Sequence, residues 1–257
     1  MARLWLPRRL RHGEEATVVE HLTELRTRLF ISLGALIPAF IIAFAFHERL
    51  IRWLAEPLPD DKRLVTFGVT EPFTTSVKVS FIAALAVTLP ILLYQTWAFL
   101  APAMEDHTQR VVSTFVAIAT ALFACGVAFA YVIVLPRALD FLTNFDDELY
   151  DIQIRASYYY SFVSLALLGV GLAFELPIFI LALVRLRVLT VERLRRNRRI
   201  AVVLIVAAAI LLPTVDPVSL ALEVIPLLVL FELSIVLAAL MERRWERGWD
   251  ESSFEPL

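Results

Sequence analysis

Residues Val111–Leu135 read VVSTFVAIATALFACGVAFAYVIVL, a stretch of 25 residues that contains no charged side chain. An α-helix needs about 20 predominantly apolar residues to cross the hydrocarbon core of a bilayer. The stretch therefore predicts a membrane-spanning helix. It contains Cys125, the only cysteine of the chain, so the sequence excludes an intrachain disulfide. The apolar neighbours of Cys125 predict a buried, unreactive thiol.

The composition of the whole chain extends this prediction. The chain has 257 residues, of which 59% are hydrophobic and 19% charged, and its mean hydropathy is +0.73. Soluble domains are about 45–50% apolar and about 25% charged. The composition thus predicts an integral membrane protein. It excludes a disordered chain, a collagen-like repeat and a small disulfide-bonded scaffold.

Five further apolar runs accompany Val111–Leu135. Three are long enough to span a bilayer, and they lie at about 29–46, 75–97 and 158–184. Of the other two, 200–212 has 13 residues and covers only about 20 Å as a helix, while 218–240 carries Glu223 and Glu232. We predict an all-α integral membrane protein with six transmembrane helices, the last two short and paired as a hairpin. Four spans followed by a re-entrant pair are the alternative.

The lysine and arginine residues outside these runs predict the orientation. The segments on one side carry 17 of them, and those on the other side carry six. The richer side comprises residues 1–28, 100–110, 185–199 and 241–257. Basic segments remain in the cytoplasm, so both termini are predicted to be cytoplasmic. The chain is then a single membrane domain with an amphipathic N-terminal segment before residue 29 and a charged tail after residue 240.

A proline lies inside each of four predicted spans, at Pro38, Pro90, Pro177 and Pro226. Each proline removes one backbone hydrogen bond and bends its helix. Four bent helices favour a curved wall around a water-accessible hollow. Glu175 lies just before Pro177, and a charged carboxylate at the bilayer centre costs about 2.5–3.5 kcal/mol on insertion scales. Glu175 is therefore expected to face the hollow, or to be protonated and bonded to the carbonyl that Pro177 frees.

The sequence contains no motif of enzyme chemistry. His-Glu-x-x-His, a phosphate-binding glycine loop and Gly-x-Ser-x-Gly are all missing from it. The four histidines lie outside the predicted spans. We therefore predict neither enzymatic activity, nor a metal site, nor a cofactor.

Several short motifs, taken together, resemble the TatC family, the six-span core of the twin-arginine protein translocase. They occur in the family's order and extend from Val19 to about Glu232. They are His21–Arg28 (HLTELRTR), Ala55–Leu58 (AEPL), Glu71–Phe73 (EPF), Tyr94–Pro102 (YQTWAFLAP), Phe174–Pro177 (FELP) and the turn that ends at Asp216.

The resemblance implies a receptor for folded proteins whose signal peptides carry paired arginines. It assigns signal-peptide binding to Glu24, Arg26 and Phe99, and it places Glu175 on the concave face of a glove-like fold. It also gives Pro57 and Asp216 structural or partner-contact roles. The implied partners are TatA-like and TatB-like single-span membrane proteins, with the proton gradient as the source of energy.

The chain departs from the family pattern at two places. Thr108 replaces a glutamate that the family usually has after the Ala-Pro of the first cytoplasmic loop. Glu105 and Asp106 are expected either to supply this charge or to be ordinary solvated acids. Leu220 replaces a glutamine that commonly follows the aspartate, and we expect Glu223 to take over its contact unless the contact has been lost.

Two other classes of function are weighed against export. A secondary transporter for a small solute would use Glu175 as its ion- or proton-coupled site, but no internal repeat of spans is evident. An intramembrane hydrolase lacks a nucleophile and base that can be named. The first 28 residues do not resemble a transit peptide, which favours the plasma membrane of a prokaryote.

Overall fold

The computed structural model describes residues 18–59, 62–100, 109–145, 149, 152–185, 188–211 and 216–252. Within these ranges the protein is almost entirely α-helical. The elements, in chain order, are α1 (Val18–Ala45), α2 (His47–Ala55), β1 (Leu64–Val65), α3 (Glu71–Leu100), α4 (Gln109–Phe129), a π-helical turn (Ala130–Val134), α5 (Leu135–Asn144), β2 (Ile154–Arg155), α6 (Ala156–Ala173), α7 (Leu176–Arg185), α8 (Val191–Arg196), α9 (Arg198–Ile210) and α10 (Pro217–Ser252).

Five apolar helical segments in the described ranges have the length and composition needed to cross a membrane. They are Leu22–Ala45, Glu71–Phe99, Ser113–Asn144, Ala156–Arg185 and Pro217–Met241. Each overlaps one predicted span, and the first and third differ from theirs by one or two residues at one end. The predicted run at 200–212 corresponds to α9, whose 13 residues make it much shorter than the other five segments. The turn between α9 and α10 lies outside the described residues.

The first helix is continuous from Val18 to Ala45, so the amphipathic N-terminal segment runs without a break into the first span. It packs on α3, and the contact includes edge-to-face ring pairs of Phe40 with Phe81 and of Phe44 with Phe73. In its most apolar window no residue is buried within the protein. The remaining surface of α1 is therefore left for lipid.

The centre of the molecule is formed by α6 and α7, whose apolar segment is the most buried of the five. α4 approaches α6 closely at two glycines. A Cβ at Gly126 would lie 3.0 Å from the Cα of Gly171, and one at Gly171 would lie 2.7 Å from the Phe123 ring. Small residues at such positions let two membrane helices come together, so Gly126 and Gly171 form the packing point between α4 and α6.

Two of the long apolar segments are irregular. The third contains the π-helical turn just before Pro136, and the fourth is interrupted at Phe174 and Glu175, just before Pro177. The other three prolines predicted to bend helices, at positions 38, 90 and 226, lie inside helices that remain continuous. Every proline lacks the N–H that would bond to the preceding turn, and Pro177 is the one of these four beside which the helix is also interrupted.

Two loops that the charge distribution assigns to the same side are joined to each other. Leu64 and Val65 pair in parallel with Ile154 and Arg155. The pairing fastens the loop before α3 to the residues that lead into α6. It forms a small two-stranded sheet at one end of the helices.

The prediction of a buried thiol at Cys125 is wrong. Cys125 lies on an exposed side of α4. The apolar run around it predicts burial in a protein interior equally well as contact with lipid, because both environments accept apolar side chains.

Candidate functional site

A carboxylate and a guanidinium face each other at the start of the first span. Glu24 and Arg28 lie one helical turn apart on α1, and Arg28 Nε donates to Glu24 Oε1 at 3.0 Å. Arg28 Nη2 donates to the same oxygen. The Glu24 side chain is 24% exposed, so it is restrained but still accessible.

The same guanidinium reaches the C-terminal end of α3. Arg28 Nη1 donates to Gln95 Oε1 at 3.3 Å, and Nη2 donates to the carbonyl of Ala98 at 3.0 Å. Phe99 follows directly and is half-buried. The motif around Glu24 and the motif around Phe99 are therefore brought together, although about 70 positions separate them.

The other residues assigned to signal-peptide binding are placed as follows. Arg26 is exposed on α1, with its guanidinium carbon 5.6 Å from the centre of the Phe30 ring. Glu105 and Asp106 lie outside the described residues, as does the Thr108 position.

Glu175 lies at the interruption between α6 and α7. Its side chain is 8% exposed, and neither carboxylate oxygen has a hydrogen-bond partner in the described part of the chain. The buried hydroxyl oxygen of Ser164, on α6, likewise has no hydrogen-bond partner in the described residues. Burial of an unsatisfied carboxylate is costly, so Glu175 does not stabilise the fold through hydrogen bonds of its carboxylate in the described residues.

A second group of buried polar residues begins α10. Asp216 caps the helix, because its Oδ1 accepts the backbone N–H of Ser219 at 2.8 Å. Ser219 and Glu223 follow at spacings of three and four residues, which place all three side chains on one helix face. Glu223 lies near the start of the helix, where a side chain could reach water, but it is only 1% exposed and does not.

The other acid of this helix is in a different environment. Glu232 is half-exposed, and its Oε2 lies 3.0 Å from Arg198 Nη2 at the start of α9. The pair links the two helices.

Pro57 lies in the turn that follows α2, and the end of α2 is fixed by two tyrosines. The ring of Tyr131 stacks on Trp53 with centroids 4.4 Å apart, and its hydroxyl lies 2.9 Å from Glu56 Oε2. The buried hydroxyl of Tyr159 donates to the carbonyl of Leu54 at 2.8 Å. The segment that contains Pro57 is thereby attached to the third and fourth apolar segments.

The residue whose role the sequence did not predict is Glu71, at the start of α3. Its Oε1 accepts Arg155 Nε at 3.0 Å and the Ser157 N–H at 3.2 Å. Its Oε2 accepts the backbone N–H groups of Phe67 and Gly68, at 3.1 and 3.3 Å. The Glu71 carboxylate also raises the pKa of Arg155. An acid in the first turn of a helix is a common favourable feature, so position alone did not single Glu71 out.

The described residues contain no group of three or more His, Cys, Asp or Glu side chains that could hold a metal ion. Chemically, the arrangement offers restrained or buried carboxylates at separate places. Of these, the Glu24 side chain is partly exposed and accessible to a cation.

Comparison with known proteins identifies the family. The family model described as Sec-independent protein translocase protein (TatC) matches residues 20–226. The chain belongs to the TatC family. It is 34% identical over 236 residues to TatC of Magnetococcus marinus, which covers 90% of this chain and 87% of that protein. It is 37% identical over 231 residues to TatC of Listeria innocua, with 88% and 93% covered.

A solved structure agrees with this assignment. The crystal structure of the twin-arginine translocase receptor TatC in DDM matches with a TM-score of 0.77 and 35% sequence identity. The match covers 85% of this chain and 99% of that chain. As a TatC protein, the chain is a membrane-embedded component of a bacterial protein translocase that works with partner proteins, and it is not a catalytic enzyme. The solute-transporter and hydrolase alternatives are therefore set aside.

Proposed function

We propose that this TatC protein is the receptor subunit that binds twin-arginine signal peptides of folded proteins, with Glu24 as the carboxylate that receives an arginine. The observation that supports this most is the contact of Arg28 with Glu24 and with Ala98. It brings two motifs of the family to one place and leaves the Glu24 side chain partly exposed. Arginine is always charged and matches a carboxylate in geometry, so it suits such a site.

Phe99 and Arg26 border this site in the proposal. Phe99 offers an aromatic surface beside the Arg28 contact, and Arg26 contributes from the exposed side of α1. Glu105 and Asp106 supply the second carboxylate that a pair of arginines requires. They replace the family glutamate that is Thr108 in this chain.

We further propose that the chain crosses the plasma membrane six times, with both termini in the cytoplasm. α9 then forms the fifth span, and α9 and α10 are in contact as expected for a hairpin. The distribution of 17 basic residues against six supports this orientation. In this arrangement the chain is one membrane domain with a curved, glove-like shape, and Glu175 is a polar site on its concave face.

The proposed partners are TatA-like and TatB-like single-span proteins, and the proposed source of energy is the proton gradient. Asp216 and Glu223 are buried within the chain itself, so in this proposal they support the partner contact by fixing the start of α10, and the turn at Pro57 supports assembly from the opposite loop. Buried polar groups in a membrane helix favour contact with a protein over contact with lipid.

Binding of a twin-arginine signal peptide to the purified full-length protein in detergent tests the receptor role. The variants are Glu24→Ala and the double change Glu105→Ala/Asp106→Ala, and a twin-lysine peptide is the matched ligand. Glu48→Ala is the control variant, because Glu48 forms an exposed pair with Arg52 at the same four-residue spacing on α2.

We expect selective binding of the arginine peptide by the wild type, and loss of this binding in Glu24→Ala but not in Glu48→Ala. Loss of arginine-peptide binding in the double variant would show that Glu105 and Asp106 supply the second carboxylate. Equal binding of arginine and lysine peptides by every variant would reject the receptor role of this chain on its own.

A further inference from the structure

Arg28 uses most of its donors to hold groups of the protein itself. Its Nε and Nη2 both donate to Glu24 Oε1, while Nη1 reaches Gln95 and Nη2 also reaches the Ala98 carbonyl. A guanidinium has five N–H donors in a rigid fork. With acceptors on two helices, the Arg28 head group is fixed in position between α1 and α3.

The consequence for Glu24 is an asymmetric carboxylate. Oε1 receives both donors from Arg28, and among the described residues no hydrogen bond reaches Oε2. A carboxylate has about four lone-pair sites, so the Oε2 side retains its full capacity to accept. The side chain is 24% exposed, which leaves this capacity accessible from outside the protein.

We propose that Arg28 is a positioning residue that orients Glu24, so that Oε2 is presented to an incoming guanidinium and arginine is preferred over lysine. The proposal rests on the proposed function of Glu24 as the signal-peptide carboxylate. A fixed carboxylate suits the planar fork of arginine, whereas lysine binds as a point charge that tolerates many carboxylate orientations. Arg28 therefore contributes to selectivity more than to attraction.

The charge of Arg28 has a second effect. Together with Glu24 it forms a pair of zero net charge, so Glu24 alone offers little long-range attraction for a peptide with two arginines.

The test measures affinities of the full-length protein in detergent for twin-arginine and twin-lysine signal peptides. Arg28→Lys retains the positive charge but cannot hold Glu24, Gln95 and Ala98 together. We expect Arg28→Lys to lower the affinity for the arginine peptide roughly tenfold, which is the effect of losing a charge-assisted hydrogen bond. The affinity for the lysine peptide should change much less. The control is Arg52→Lys, at the exposed pair with Glu48.

The combined effect of substitutions at Glu24 and Arg28 distinguishes the positioning role from a general loss of stability. In Glu24→Gln/Arg28→Lys we expect arginine-peptide affinity no lower than in Glu24→Gln alone, because Arg28 acts through the carboxylate. Gln95→Leu removes one anchor of Arg28, so it is expected to reduce the affinity severalfold. Gln95→Leu also tests the positioning role if Arg28→Lys does not fold.

Unchanged selectivity in both Arg28→Lys and Gln95→Leu, with binding lost in Glu24→Gln, would overturn the positioning role and leave the receptor role intact. A gain of arginine-peptide affinity in Arg28→Gln would overturn it too, because Arg28 would then be a competitor. If Glu24→Gln binds like the wild type, the receptor site itself is misplaced, and the positioning role falls with it.

Discussion

The Glu71 carboxylate and the Arg155 guanidinium meet at 3.0 Å, although 84 positions of sequence separate the two residues. The same carboxylate accepts N–H groups of Phe67, Gly68 and Ser157. Glu71 is only 5% exposed, so four donors converge on a largely enclosed anion. The contact joins the start of α3 to the start of α6 and holds the β1–β2 pair in register.

Glu71→Gln is therefore expected to lower the unfolding temperature of the protein in detergent clearly. The glutamine amide nitrogen carries N–H groups and faces donors whose hydrogen bonds the carboxylate oxygen accepts. At least one of these donors is therefore left without an acceptor. Glu48→Gln, at the exposed pair with Arg52, is expected to leave the temperature almost unchanged. Equal effects of the two substitutions would show that Glu71 is not a structural centre of this end.

Gly171→Ala is expected to destabilise the protein, whereas Gly34→Ala is not. A Cβ at Gly171 would lie 2.7 Å from the Phe123 ring and 2.8 Å from Val127, but one at Gly34 would meet no atom within 4 Å. Overpacking of a close contact costs about 1–3 kcal/mol, while alanine is a better helix former than glycine. Thermal unfolding of both variants in detergent measures the difference. A tolerated Gly171→Ala would mean that α4 and α6 can separate without loss.

Glu175→Gln is expected to raise the unfolding temperature and to reduce export of a twin-arginine reporter protein. The carboxylate oxygens of Glu175 are buried without partners in the described residues, so a neutral amide of nearly the same shape lowers the cost of burial. Glu232→Gln, at a half-exposed pair, serves as the control for both measurements. A lower unfolding temperature for Glu175→Gln would indicate that the carboxylate stabilises the fold after all.

Glu223→Leu is expected to impair association with the TatA-like partner while the chain remains folded. Glu223 is only 1% exposed, so the substitution acts on the partner through the packing of α10, and leucine, of similar volume, leaves no acid in that interior. Co-purification of the tagged partner from membranes measures the association. Glu232→Leu changes the same helix at a half-exposed position and should co-purify the partner like the wild type. Undiminished association in Glu223→Leu would remove this residue from the partner contact.

The helices could be predicted from the sequence because hydrophobic runs of sufficient length have few other solutions in a bilayer. Each predicted run corresponds to one or two helices of the described residues, including the short run at α9. The pairing of Glu24 with Arg28 was also predictable, because a spacing of four residues places two side chains on one side of a helix. These predictions depend on contacts within one segment.

The remaining features depend on contacts between distant segments or on the choice between lipid and protein. Hydropathy cannot distinguish a face that contacts lipid from one that contacts another helix, which explains the wrong prediction for Cys125. Nothing local to Glu71 or Arg155 indicates that they meet. The contact of Arg28 with Ala98 likewise follows only from the packing of α1 on α3.

The π-helical turn at Ala130–Val134 determines which residues of the following helix enter the protein. About five α-helical turns lead from Ala119, which is fully buried, to Arg137. An uninterrupted helix would therefore aim Arg137 at the interior. The π turn holds one residue more than an α turn, which rotates the next helix by about 100°. Ala138 is buried in its place and Arg137 is exposed, so this one surplus residue keeps an arginine out of the core.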